Sequence, residues 1–132
     1  MESNILVVDD SAAIRKILQR VLRQTGMAIE TIHEAGDGEE ALKLLGSNKV
    51  DLVLTDINMP KMDGFSFLRA LRRGSPSVAT LPALVITTES SEYDLDDART
   101  VGANFYLLKP VSEANLLRHA AILTGRQNER VA

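Results

Sequence analysis

Short apolar runs alternate five times along this chain with segments whose apolar residues recur at helical spacing. Ile5-Leu6-Val7-Val8 is aliphatic, half β-branched and short, the composition of a buried strand. Ile14, Ile17, Leu18, Val21 and Leu22 then form one apolar stripe of a helix, and Gly26 can supply a left-handed cap at its end. A weaker strand is expected around Thr31 to Ala35. Asp37 can cap the next helix, with Glu40 three residues on as in a capping box. Ala41, Leu42 and Leu45 give that helix its buried face, and Gly46 is expected to end it. Leu52-Val53-Leu54 reads as the third strand and runs into Thr55-Asp56. Phe67, Leu68 and Leu71 mark a helix stopped by Gly74, and Gly74 to Pro82 reads as a polar loop. Ala83 to Ile86 is the fourth strand, running into Thr87. Leu95, Ala98 and Val101 predict a short helix ended by Gly102, Phe105 to Leu108 a fifth strand, and Ser112 a cap for a last helix carrying Leu116, Leu117, Ala120 and Ala121.

Five strands alternating with helices imply an α/β fold, a parallel sheet covered on both faces. Right-handed crossovers leave few topologies. In open sheets of this type a ligand sits beyond the carboxyl ends of the strands.

Composition changes this picture little. The chain has 132 residues, 45% hydrophobic and 25% charged, which suits one folded domain. A net charge of -3 argues against coating nucleic acid through phosphate contacts. Cysteine is absent, so thiolate metal sites and disulfides are excluded. The first apolar run is too short for a signal peptide or a membrane span, so a cytoplasmic location is expected.

The chemistry lies where the strands end. The first ends in Asp9-Asp10, the third in Asp56, the fourth in Thr87, and the fifth just before Lys109-Pro110. Three carboxylates in one pocket repel one another, so metal-free protein should be less stable than metal-bound protein. A hard divalent ion such as Mg²⁺ suits such oxygen ligands. An Asp carboxylate is a competent nucleophile for phosphorus, and a lysine and a hydroxyl can pair with phosphoryl oxygens.

The segments Val7-Val8-Asp9-Asp10-Ser11, Thr55-Asp56-Ile57-Asn58-Met59-Pro60-Lys61-Met62-Asp63-Gly64, Thr87, and Tyr106-Leu107-Leu108-Lys109-Pro110 resemble the response-regulator receiver domains of two-component signalling, and among them the single-domain, CheY-like type. The resemblance implies a flavodoxin-like, doubly wound sheet of order 2-1-3-4-5. It implies Asp56 as phosphoacceptor, with Thr87 and Lys109 binding the phosphoryl group. Asp9, Asp10, Asp56 and the Asn58 backbone carbonyl are implied to hold Mg²⁺ or Mn²⁺. Thr87 and Tyr106 are implied as the switch, and the Asn58 side chain and Glu89 as residues that tune dephosphorylation. The expected domain is 1–124, followed by a polar tail, 125–132.

The implied protein is a signalling switch rather than an enzyme, a stand-alone regulator of chemotaxis type. Its phosphodonor would be a sensor histidine kinase or a histidine phosphotransfer protein. Its output would be a downstream protein that binds the face of the predicted fourth helix, fifth strand and last helix. It is expected to be a monomer or a weak phosphorylation-dependent dimer, with neither nucleic acid nor membrane as partner. A phosphorelay intermediate and a fragment of a larger regulator remain the alternatives.

Other readings fit less well. An aspartyl-phosphate phosphatase would want an acid-base carboxylate where Asn58 stands. A flavin or nucleotide binder would want a Gly/Ser/Thr-rich loop where Asp9-Asp10 stands. The acids Glu89, Glu92, Asp94, Asp96 and Asp97, and Val111 after the Lys-Pro pair, depart from the chemotaxis regulator and put a flagellar-motor target in doubt. Arg15 and Lys16 read as a solvated face of the first helix and a plausible kinase-docking region. Arg69, Arg72 and Arg73 likewise read as solvated helix surface, and His33 and His119 carry no assigned chemistry.

Overall fold

The computed structural model describes residues 3–57, 59–87, 100, 102–108 and 114–118. Strands β1 (Ser3–Val8), β2 (Ile29–Ala35), β3 (Leu52–Thr55), β4 (Ala83–Thr87) and β5 (Phe105–Leu108) form one parallel sheet in the order β2-β1-β3-β4-β5. Helices α1 (Ala12–Gln24), α2 (Gly38–Ser47), α3 (Gly64–Arg72) and α4 (Pro76–Ala79) lie between them, and residues 114–118 are helical.

The aliphatic runs make strands because both of their faces are buried. Alternate residues of a strand point to opposite sides. Ile5, Val7, Leu52, Leu54, Leu84 and Ile86 therefore enter one core, with Leu18 and Leu22 of α1 and with Leu116. Leu6, Val8, Val53, Ala83 and Val85 enter the other, with Ala41 and Leu45 of α2 and Phe67, Leu68 and Leu71 of α3. Each fully buried Leu, Ile or Phe contributes about 1.5–3 kcal/mol.

Side-chain caps start the three longer helices. Ser11 Oγ accepts from Ile14 N at 3.2 Å, Asp37 Oδ1 from Glu40 N at 2.9 Å, and Asp63 Oδ1 from Ser66 N at 2.8 Å. Each such cap is worth about 1 kcal/mol. The expected capping box at Asp37 is shifted by one residue, because Glu40 Oε1 accepts from Gly36 N at 2.7 Å. Gly26 stands just past α1 with φ +84°, as its expected capping role requires.

Polar groups fasten the amino ends of the strands. Asn4 N donates to Asp51 Oδ2 at 2.8 Å, and Asp51 N to Asn4 O at 2.7 Å. Ala83 N donates to Asn104 Oδ1, and Asn104 N to Ala83 O, both at 2.8 Å.

Several sequence expectations need correction. Ile17 is 48% exposed, so the buried stripe of α1 is narrower than its spacing suggests. Helix α2 runs through Gly46 to Ser47, and Asn48 Nδ2 caps it by donating to Leu44 O at 3.0 Å. The expected loop before β4 contains α4, with Ser75 at the N-cap and Pro76 as first residue, where its missing N–H costs nothing.

Arg72 is half-buried and not solvated surface. Its Nε and Nη2 donate to Gly102 O at 2.9 and 2.5 Å, its Nη1 to Ala79 O at 3.1 Å and Leu81 O at 2.5 Å, and Nη2 also to Asn104 Oδ1 at 3.2 Å. Burial pushes the guanidinium pKa down, and the group still stays charged. The helix expected around Leu95 and Ala98, the Ser112 cap, Ala120, Ala121 and the tail 125–132 lie outside the described residues.

Candidate functional site at the carboxyl edge of the sheet

Three acids converge where β1 and β3 end. The last β1 pairings set Val8 opposite Ala35 on one side and Thr55 on the other, so Asp9-Asp10 and Asp56 emerge at the same level. Each of Asp9, Asp10 and Asp56 offers a carboxylate oxygen, and the three oxygens lie within 4.8 Å of one another. Asp9 is buried, Asp56 is half-buried and Asp10 is exposed. The pocket therefore opens to solvent on the Asp10 side.

Main-chain bonds hold these acids in place. Asp9 N donates to Ala35 O at 3.0 Å, and Asp56 N to Val8 O at 2.9 Å. Asp9 Oδ1 accepts from Ser11 N at 2.9 Å, and Asp56 Oδ1 accepts from Ile57 N at 2.7 Å. Thr55 Oγ1 donates to Asp56 O at 2.9 Å.

The segment after Asp56 is braced from two sides. Met62 N donates to Pro60 O at 2.6 Å around Lys61, whose φ is +64°. This is a γ-turn with a left-handed central residue, a strained conformation for a side chain with a Cβ. Gly38 N donates to Met62 O at 3.2 Å, and the exposed Lys61 Nζ lies 3.9 Å from Oδ2 of the buried Asp37, a long contact worth little by itself. Gly64 N donates to Ile57 O at 2.7 Å. A Cβ on Gly64 would fall 2.9 Å from Ile57 Cα, 3.0 Å from the Asp56 carbonyl carbon and closer still to Asp56 O. Glycine is required here by close approach to the Asp56 peptide.

Of the other site residues read from sequence, Thr87 ends β4 opposite Leu108, the neighbour of Lys109 in the chain, and Tyr106 pairs with Val85 in β5. For both residues the description extends to the backbone only. Asn58, Glu89 and Lys109 lie outside the described residues.

Sequence reasoning missed Arg15 and Gly64. Arg15 Nη1 donates to Asp9 O at 2.6 Å, and its Nε to Glu34 Oε1 at 2.9 Å, so it is not part of a solvated face. Arg15 chiefly, with the Gln19 side chain adding to it, holds the Glu34 carboxyl below its ordinary pKa. Gln19 acts by proximity, since its buried Nε2 falls short of a hydrogen bond. Arg15 left no signal because its key acceptor is a main-chain carbonyl. Gly64 left only its place in the Asp63-Gly64 pair.

A doubly wound parallel sheet with acids clustered at its carboxyl edge defines a receiver-type switch domain, and comparison with known proteins agrees. The family model of the response regulator receiver domain matches residues 5–121, and the chain belongs to that family. It is 38% identical over 112 residues to the chemotaxis protein CheY-3 of Vibrio cholerae, covering 85% of this chain and 84% of the relative. It is 39% identical over 105 residues to a gliding motility regulatory protein of Myxococcus xanthus, where the match takes in 80% of this chain and 13% of that much longer protein. Among solved structures, Vibrio cholerae CheY4 superposes with a TM-score of 0.79 at 34% identity, over 93% of this chain and 99% of that one. The chain is thus CheY-like in fold. No helix among the described residues is long and apolar enough to cross a membrane.

Proposed function

We propose that this chain is a phosphorylation-controlled signalling switch, rather than an enzyme, and that Asp56 is its phosphoacceptor. The observation that carries the reading is the Asp9, Asp10 and Asp56 cluster at the carboxyl edge of a receiver fold. A carboxylate oxygen of Asp56 attacks phosphorus of a phosphohistidine on a sensor kinase or phosphotransfer protein. The P–N bond breaks, a P–O bond forms, and an acyl phosphate results that water later hydrolyses.

The donor set fits a hard divalent cation: all oxygen, anionic, gathered within 4.8 Å and open to solvent at Asp10. Asp9, Asp10 and Asp56 would hold Mg²⁺ or Mn²⁺, with the Asn58 carbonyl as the further ligand that the family resemblance implies. When bound, the metal neutralises charge on the transferring phosphoryl oxygens. Thr87 and Lys109 pair with those oxygens, and Thr87 and Tyr106 carry the change to the protein-binding face. Asn58 and Glu89 set the access of hydrolytic water. The shift is one between two conformational populations, biased by the acyl phosphate.

Chemotaxis-type signalling is the pathway that the CheY-3 relative supports. A downstream protein is the proposed target, and a monomer or weak phosphorylation-dependent dimer the proposed state.

The test is acetyl phosphate labelling followed by intact-protein mass spectrometry, with and without Mg²⁺, on wild type and Asp56→Ala. One phosphoryl adduct that needs both Mg²⁺ and Asp56 is expected. Equal labelling of the two proteins would remove Asp56 from its role.

A further inference from the structure

Arg15 stands in an unusual relation to the acidic pocket. Asp9 is 1% exposed and follows the last paired residue of β1. Its carbonyl oxygen accepts from Arg15 Nη1 at 2.6 Å. A peptide group is planar, so the direction of the Asp9 carbonyl also fixes the nitrogen and Cα of Asp10. One guanidinium donor thereby orients the backbone that joins two of the three clustered acids.

The guanidinium is itself held. Its Nε donates to Glu34 on β2, at 2.9 Å, and its side chain is only 18% exposed. The main chain of Arg15 is fixed by α1, where Arg15 N donates to Ser11 O at 3.0 Å. Ser11 N in turn donates to the Asp9 carboxylate. Asp9 is thus bound at its N–H by β2, at its carboxylate by Ser11 and at its carbonyl by Arg15.

We propose that Arg15, braced by Glu34, is a positioning residue for the metal-binding acids, setting the Asp9-Asp10 peptide so that the two carboxylates reach one ion together with Asp56. This rests on the reading of the pocket as a divalent-metal site. Groups that orient metal ligands in this way change affinity by about 10–100-fold when removed.

Electrostatics alone points elsewhere. A positive charge beside the pocket opposes a cation, and Glu34 offsets it. Variants that keep the local charge balance therefore separate positioning from charge. Arg15→Lys retains the charge and loses the planar fork that serves Asp9 O and Glu34 at once. The double variant Arg15→Met, Glu34→Gln removes one charge of each sign.

Mg²⁺ titration followed by isothermal calorimetry, with thermal melts in metal-free buffer to verify folding, gives the answer. Wild type is expected to bind Mg²⁺, and Asp10→Asn to bind it far more weakly. Both charge-balanced variants are expected to fold and to bind about 10-fold more weakly. Wild-type affinity in the folded variants would overturn the positioning role while leaving the metal site intact. Should the double variant fail to fold, Arg15→Lys decides alone. Failure of wild type to bind Mg²⁺, or full binding by Asp10→Asn, would overturn the metal-site reading and the proposal with it.

Discussion

Replacing Gly64 by alanine is a one-carbon test of how Asp56, the proposed phosphoacceptor, is seated. Carbon atoms pack best at about 3.5–4.0 Å. The new Cβ would start 2.9 Å from Ile57 Cα and 3.0 Å from the Asp56 carbonyl carbon. The Asp56-Ile57 peptide or the start of α3 must therefore retreat by at least about 0.5–1 Å, since Asp56 O is closer still. The crowded atoms are main chain, so a rotamer change brings no relief. Overpacking of this kind costs about 1–3 kcal/mol. With three main-chain atoms crowded, the upper part of that range, about 2–3 kcal/mol, applies; alanine recovers up to about 1 kcal/mol of helix propensity, leaving a net loss of about 1–2 kcal/mol. In urea this lowers the unfolding midpoint by roughly 1 M for a domain of this size. Because the displaced peptide carries Asp56, acetyl phosphate labelling should also slow, by as much as 100-fold for a 1 Å error in placement. An alanine variant as stable as wild type, or more stable, would refute the close approach, since helix propensity alone predicts a gain.

Two further outcomes follow from the polar contacts. Arg72→Met strips the partners from Ala79 O, Leu81 O and Gly102 O and should cost about 3 kcal/mol, at about 1 kcal/mol, the low end of the range, for each of three part-buried carbonyls; a urea midpoint equal to wild type would show those carbonyls to be satisfied otherwise. The lowered pKa of Glu34 means that its contribution to stability is fully present above its unfolded pKa and is lost as pH falls through its lower folded pKa. Urea titrations across the acid range should accordingly show a shallower loss of stability for Glu34→Gln than for wild type, and parallel curves would deny the Arg15–Glu34 linkage.

The parts of the fold most legible in sequence were those set by composition over several residues. The β1, β3 and β4 runs are aliphatic because both faces are covered, and their shortness and β-branched content favour strands over buried helix. The carboxylate cluster was legible too, because Asp9, Asp10 and Asp56 each follow directly on a strand, and parallel strands bring their ends to one edge. What stayed hidden depends on single contacts across long sequence separations. Arg72 has the spacing of a surface arginine, and only the fold brings Gly102 and Asn104 to it. Arg15 stands seven residues before the buried Leu22 and so on the edge of the inward face of α1, but only the fold shows that Asp9 O and Glu34 wait there. Helix α4 is a single turn, too short for any periodicity, and its only announcement was Ser75-Pro76.

The two-sided burial of the sheet carries a consequence for how the acids come to be aligned. In a strand with one wet face, sliding by one residue exposes the apolar side and is penalised at once. Here both faces of β1, β3 and β4 are apolar, so hydrophobicity distinguishes one alignment from the next only weakly. The choice then falls to the polar clasps at the opposite end of the sheet, Asn4 with Asp51 and Asn104 with Ala83. A slip of one residue in β3 would carry Asp56 about 3.3 Å along the strand and turn its side chain to the other face. The spacing of the clustered carboxylates is in that sense decided roughly 16 Å away, at Asp51, by a carboxylate outside the cluster.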